Sequence, residues 1–431
     1  MEKSEKRIVK IIGAGLAGSE ACFYLLKKGY EVHLYERRPL VDDHAHHTDL
    51  FGELVCSNSL KSKQLTNASG LQKEEMRILG SLTMESAAKN EVPAGNALSV
   101  DRDGFAKDIT EKLKAFPNLH IHYEEVKEFD DELTILATGP LSDGKLMENI
   151  TELVGKKSFS FFDASAPIVK KDTIDFSKAY YKSRFNQGDE AYINCPFTKD
   201  EYLAFHHELV NAEKALVHDF DTKYFEGCLP VEVIASRGAE TLRHGPLKPF
   251  GLSDENHHPY AALQLRQDTA LGDYYNLVGF QTNLTYSEQK RVFSMIPGLE
   301  NAEFVRYGLM HRNSYLDSPR CLNEDLSLKA KPNVFVAGQL SGVEGYVESA
   351  MMGIICAINA ERRMLGLPFV SVPKNTVTGA LISYILNAPE KMFSPMNANW
   401  ALFPNVEKKE REKAIEDALK AMKEYRDAID R

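Results

Sequence analysis

The sequence predicts an α/β chain in which one strand-and-helix unit is interrupted by a second α/β segment. Three observations carry that reading. A glycine-rich turn joins an apolar strand to a helix near the N-terminus, two later strands each end at glycine, and a long stretch of short alternating runs lies between them.

The first strand is Arg7 to Ile12, RIVKII, a β-branched run that stops at Gly13. Gly13-Ala14-Gly15-Leu16-Ala17-Gly18 follows, then a helical pattern up to Lys28, and a second strand from Glu31 to Tyr35 that ends at Glu36. Each residue has a physical task in a dinucleotide site. Gly13 allows the tight turn, Gly15 lets a pyrophosphate approach the backbone, and Gly18 lets helix and strand pack closely. Ala14, Leu16 and Ala17 complete the turn, and the helix N-terminus offers free N–H groups and the positive end of its dipole. Glu36 is placed to accept from ribose hydroxyls. The fingerprint alone suits NAD as well as FAD. Thr134 to Gly139 (TILATG) and Asn333 to Gly338 (NVFVAG), the latter followed by a small-residue helix from about Val347 to Ala360, favour FAD. Gln339 stands where many flavoproteins carry Asp after the last glycine, and Gly345 permits close approach to a flat ring.

The resulting expectation is a Rossmann-like FAD-binding domain in two parts, residues 1–155 and 308–431, around an inserted α/β domain at 156–307. The insertion contains runs such as Ala191 to Cys195 and Tyr275 to Phe280, and one helix at about Lys199 to Glu213. The tail from Val406 reads as a charged surface helix packed by Ala418, Leu419 and Met422.

A formal charge of −10 excludes a general polyanion binder, because non-specific nucleic-acid affinity comes from cation–phosphate contacts. Any RNA partner needs a local basic face, for which Lys61, Lys63, Lys182, Arg184, Arg237, Arg243 and Lys248 are the candidates around the flavin mouth. No apolar run approaches the length of a membrane span, and no signal peptide is evident, so a cytoplasmic protein is expected. The six cysteines show neither CxxC pairs nor histidine spacing. His44, His46 and His47 cluster, but no partner cluster follows, and no metal is expected.

Candidate chemistry gathers on loops. Cys56 lies in Glu53 to Leu60 (ELVCSNSL), and Cys228 in Phe225 to Glu232 (FEGCLPVE). Cys22, Cys195, Cys321 and Cys356 read as buried small hydrophobes. Arg237 and Lys248, on the following loops, suit phosphate or carboxylate contact. His311 and Arg312 lie in YGLMHRN, and Tyr346 and Glu348 lie in a glycine-rich segment where they could stack on and bond to a heterocycle.

Strings such as GAGLAGSEA, ELVCSNSL, VPAGNALSVDR, FEGCLPVEVIASRG, LQLRQD, YGLMHRN, FVAGQLSGVEGYVESA and PMNANW resemble the folate- and FAD-dependent RNA uracil-5-methyltransferases, the TrmFO family, over about residues 8–405. The GidA/MnmG flavoproteins are related. The resemblance implies FAD reduced by NADH or NADPH, a one-carbon unit from methylenetetrahydrofolate, and 5-methyluridine as product. It implies Cys228 as the thiol that attacks uracil and Cys56 as the group that removes the C5 proton. His311, Arg312, Tyr346 and Glu348 would line the flavin–folate pocket. The RNA expected is tRNA, at uridine 54 of the T-loop. The alternatives are the same chemistry on a uridine of 23S rRNA, or a flavoprotein oxidoreductase without an RNA substrate. A monomer or weak dimer is expected.

Overall fold

The computed structural model describes residues 7–41, 45–155, 159–186, 190–215, 229–308, 310–389, 393–403, 406 and 408–430, with backbone alone for 159–164, 310–312 and 408. Strand Ile8–Ile12 is the centre of a five-stranded parallel sheet ordered Val334–Val336, Thr134–Leu136, Ile8–Ile12, Glu31–Glu36, Leu119–Tyr123. Val9, Ile11, Val32, Leu34 and Ile135 are wholly buried, as the apolar runs require. The helix after the glycine turn spans Leu16–Lys27. It lies against helix Tyr346–Met364 so closely that a Cβ on Gly353 would stand 2.0 Å from the Ala17 carbonyl. That approach explains the small residues of the second helix, which starts and ends beyond the expected limits.

Buried glutamates fix the ends of neighbouring helices. Glu20 accepts from the Leu82 and Thr83 amides at the start of helix Leu82–Lys89. Glu75 does the same for Val377 and Thr378 at the start of helix Val377–Asn387. Both satisfy amides that a helix start leaves unpaired. The charged tail helix runs Arg411–Ile429 and buries Ala418 and Met422, with Leu419 half-buried.

The middle of the chain builds an antiparallel six-stranded sheet ordered Tyr180–Tyr181, Tyr192–Phe197, Ala261–Gln267, Tyr274–Leu277, Ile168–Lys170, Phe304–Arg306. Strand alternation gives it two unlike faces. Ile193, Cys195, Leu263, Leu265 and Leu277 share a core with helix Lys199–Asn211. The other face presents Asn194, Gln264, Arg266 and Asn276, all buried polar residues. Strands Phe159–Ala164 and Met310–Tyr315 pair with each other, so the chain enters and leaves this sheet side by side. Among the described residues, no helix is long and apolar enough to cross a membrane.

Candidate functional site

A cavity of about 320 Å³ opens at the carboxyl ends of the parallel strands, where nucleotide sites form in such sheets. Residues 13–17, Glu36, Gly338, Gln339, Gly345 and Tyr346 line it, together with Cys56. Gly13 has a φ of +101°, and a Cβ there would lie 2.4 Å from the Ala137 carbonyl oxygen. Gly18 does not line the cavity; a Cβ on it would meet the Gly13 carbonyl oxygen at 1.8 Å, so it serves the helix–strand packing. A Cβ on Gly15, by contrast, would have nothing within 4 Å. The helix behind it has no side-chain cap and no acid in its first turn. Its first amides therefore remain for an anion.

Glu36 is buried at the end of its strand. Its carboxylate accepts from the Ala14 amide at 2.9 Å and from the Arg38 amide and Nε at 3.0 and 3.1 Å. Burial alone would raise its pKa, but the Arg38 hydrogen bonds and charge outweigh that and hold Glu36 below its ordinary value. It is an anion with acceptor capacity at the rim of the cavity. The residues present thus fit FAD: an open glycine and free helix amides for the pyrophosphate, and a fixed carboxylate for the ribose. Asn313 Oδ1, a buried atom of the lining residue Asn313 with no hydrogen-bond partner, adds a polar group that a ligand would satisfy.

The Cys56 segment is held from several directions. The Tyr346 hydroxyl accepts from the amides of Cys56 at 2.7 Å and Ser57 at 3.2 Å. Burial pushes the Tyr346 phenol up, so it stays a neutral hydroxyl. Arg102 donates to the Leu54 and Val55 carbonyls at 2.6 and 3.0 Å and pairs with Asp268 at 3.0 Å. Arg306 donates to the Val55 carbonyl at 3.0 Å. From the six-stranded sheet, Arg266 reaches Ser57 Oγ at 2.7 Å and Asn58 Oδ1 at 3.1 Å. Arg102 and Arg306 both interact electrostatically with Cys56. Arg102 and Arg266 lie in strings that mark the family resemblance and Arg306 directly precedes another, yet no local feature distinguishes them from surface arginines.

Several expected residues stand elsewhere. Glu348 does not meet the cavity. It is wholly buried on the inner side of its helix, where Oε1 pairs with Lys61 Nζ at 2.6 Å and accepts from the Ala398 amide at 2.9 Å. Lys61 itself lines the cavity, so Glu348 acts on the site through Lys61. Arg237 and Lys248 are exposed on the inserted segment, away from the cavity lining. Cys228 and the side chains of His311 and Arg312 lie outside the described residues, as does His44. Cys22, Cys195, Cys321 and Cys356 are buried.

The seven candidate basic residues divide. Lys63 and Arg243 are paired with Glu91 and Glu240. Arg184 and Lys248 instead gather around two exposed rings, and Lys182 bonds to Asn186, the residue after one of them. Arg184 donates to the Phe250 carbonyl at 2.8 Å, Lys248 Nζ stands 5.5 Å from the Phe250 ring centroid, and the Phe185 ring lies against Gly251. Phe185 and Phe250 are 67% and 55% exposed. Cations with exposed rings are the chemistry that stacks and neutralises single-stranded RNA.

Residues 8–368 match the family described as Glucose inhibited division protein A, GIDA. The sequence is 52% identical over 408 residues to the methylenetetrahydrofolate–tRNA-(uracil-5-)-methyltransferase TrmFO of Ligilactobacillus salivarius, covering 94% of each chain. It is 52% identical over 432 residues to the protein of that name from Listeria monocytogenes, covering 98% of this chain and 99% of the relative. Among solved structures, Aquifex aeolicus GidA is similar in fold, with a TM-score of 0.69 at 17% identity, covering 97% of this chain and 73% of that one.

Proposed function

The chain belongs to the GIDA family, and from that membership and the geometry of the cavity we propose that it is a methylenetetrahydrofolate-dependent tRNA (uracil-5-)-methyltransferase that uses FAD. The observation that carries the reading is Cys56 in the wall of the nucleotide cavity, fixed by Tyr346 and flanked by Arg102 and Arg306. Electron transfer alone requires no such thiol. Uracil methylation has a use for it, because the C5 proton must be removed once C5 has taken the one-carbon unit, and a thiolate in the cavity wall can accept it.

In this reading Cys228 adds to C6 and makes C5 an enolate-like nucleophile. C5 takes the one-carbon unit derived from methylenetetrahydrofolate. Cys56 then accepts the C5 proton, and loss of Cys228 restores the ring. The amides of Gly15 to Ala17 and Glu36 would hold FAD, which when bound would supply the two electrons that bring the one-carbon unit to a methyl group, with tetrahydrofolate as the released carrier and NADH or NADPH as the electron source. Lys61, positioned by Glu348, places a cation in the cavity wall for an anionic part of the folate or the RNA. His311 and Arg312 are assigned to the folate side, and Arg237, Lys182, Arg184 and Lys248 to RNA.

The RNA target we propose is uridine 54 of the tRNA T-loop, a loop whose bases can be splayed onto rings such as Phe185 and Phe250. The test is incorporation of 5-methyluridine into unmodified tRNA beside a 23S rRNA fragment, with methylenetetrahydrofolate and reduced nicotinamide. Cys56→Ala and Cys228→Ala are the controls. Label at the T-loop is the expected result. Label in rRNA alone would move the target, and flavin oxidation without RNA labelling would leave an oxidoreductase.

A further inference from the structure

On the far edge of the parallel sheet, parallel pairing sets His33 of strand Glu31–Glu36 opposite His120 of strand Leu119–Tyr123. Glu31 and His33 are two residues apart on one strand, and His120 and His122 on the other, so all four side chains rise from the same face. His120 Nε2 lies 3.1 Å from Glu31 Oε1, and His33 Nε2 lies 3.8 Å from the same oxygen. One ligand atom from each of Glu31, His33 and His120 falls within 4.8 Å of the other two. A tetrahedral zinc ion with bonds of about 2.0–2.1 Å holds its ligand atoms about 3.3 Å apart. The observed separations bracket that spacing.

We propose that Glu31, His33 and His120 form a binding site for a borderline divalent cation of the Zn2+ class. Two imidazoles and a carboxylate suit zinc, copper or nickel rather than magnesium or calcium, which prefer oxygen donors. His33 Nε2 is buried with no hydrogen-bond partner, so with the ring proton on Nδ1 its lone pair is open to a cation. The other nitrogen, Nδ1, meets His122 Nε2 at 3.1 Å, and His122 stacks on Tyr35 at 4.5 Å between ring centroids. This is the outer support that metal-bound histidines normally have. His122 is therefore a positioning residue, and solvent completes the coordination beside half-exposed His120. The ion would tie an edge strand to its neighbour.

The test is calorimetric titration of Zn2+ into the chelator-treated, FAD-loaded full chain, with thermal melting in parallel. One equivalent should bind and raise the melting temperature. His120→Asn, at an exposed position, should abolish that binding without changing the melting temperature of the metal-free protein, and His33→Asn should do likewise. His122→Gln should keep the stoichiometry and weaken affinity about 10- to 100-fold. Absence of stoichiometric binding would overturn the proposal. So would binding that survives His120→Asn unchanged, since the ion would then sit on the thiols or on the His44–His47 segment.

Discussion

Gly15 and Gly18 stand three positions apart in one motif, and the structure assigns them opposite failures. At Gly15 the backbone has φ −69° and ψ −170°, a conformation alanine adopts freely, and the added methyl would touch no protein atom. Gly15→Ala should therefore leave the flavin-free protein as stable as before, or stabilise it by about 0.4–1 kcal/mol through the unfolded chain. The methyl would instead occupy the space where a pyrophosphate approaches the helix amides. An overlap of that kind costs about 1–3 kcal/mol, which is roughly a 5- to 150-fold loss of FAD affinity. At Gly18 the methyl would lie 1.8 Å from the Gly13 carbonyl oxygen. Relieving it requires helix Leu16–Lys27 to retreat by about 1.5 Å or more from ordinary contact distances of about 3.5 Å. Gly18→Ala should lose at least about 1–3 kcal/mol of stability even without flavin. The assay is thermal melting of the flavin-free proteins, followed by titration with FAD read from quenching of its fluorescence. Wild-type FAD affinity in Gly15→Ala, or wild-type stability in Gly18→Ala, would refute the assignment.

Further outcomes are expected. Tyr346→Phe deprives the Cys56 and Ser57 amides of their shared acceptor, a loss of about 1–3 kcal/mol, and should slow methyl transfer by up to about 100-fold while FAD content stays normal; single-turnover labelling of RNA within twofold of wild type would refute it. Burial raises Glu75 from its ordinary 4.5 up to about 7, so the folded state retains a proton that the unfolded chain has released. Its contribution to stability is complete below about pH 4.5 and fades as the pH rises through about 7, by up to about 3 kcal/mol; urea midpoints of Glu75→Gln should lack this decline, and parallel profiles would count against it. Removing Lys182 and Lys248 together should weaken RNA binding and reduce its salt slope by about 1–2 with flavin affinity unchanged. An unaltered slope in filter-binding titrations would remove these residues from the RNA face.

The nucleotide seat was legible because its constraints are local. A turn that must pass under a carbonyl oxygen admits only glycine at Gly13 and Gly18, and the strand and helix on either side are periodic. The setting of Cys56 was not legible, because Arg102, Arg266 and Arg306 meet only when three separate strands and helices are assembled. Glu348 was misjudged for a related reason. A charged residue in a glycine-rich segment reads as exposed chemistry, yet helix Tyr346–Met364 turns it inward to Lys61. His33 and His120 show the same limit from the other side. Their spacing in the chain matches no ligand pattern, and strand register alone makes them neighbours.

Strand Val334–Val336 completes the parallel sheet by pairing with Thr134–Leu136, and residues 137–333 lie between them. On the ribosome this means that Thr134–Leu136, all three of whose side chains end up buried, waits as an open edge while the whole inserted segment is made. The late strand also brings Gly338, Gln339, Gly345 and Tyr346, so no nascent chain shorter than this offers a complete seat for the cofactor. Flavin cannot then act as a template for the early fold. It can only reward a chain that has already closed its longest loop, and interrupted synthesis leaves a sticky fragment that added riboflavin will not rescue.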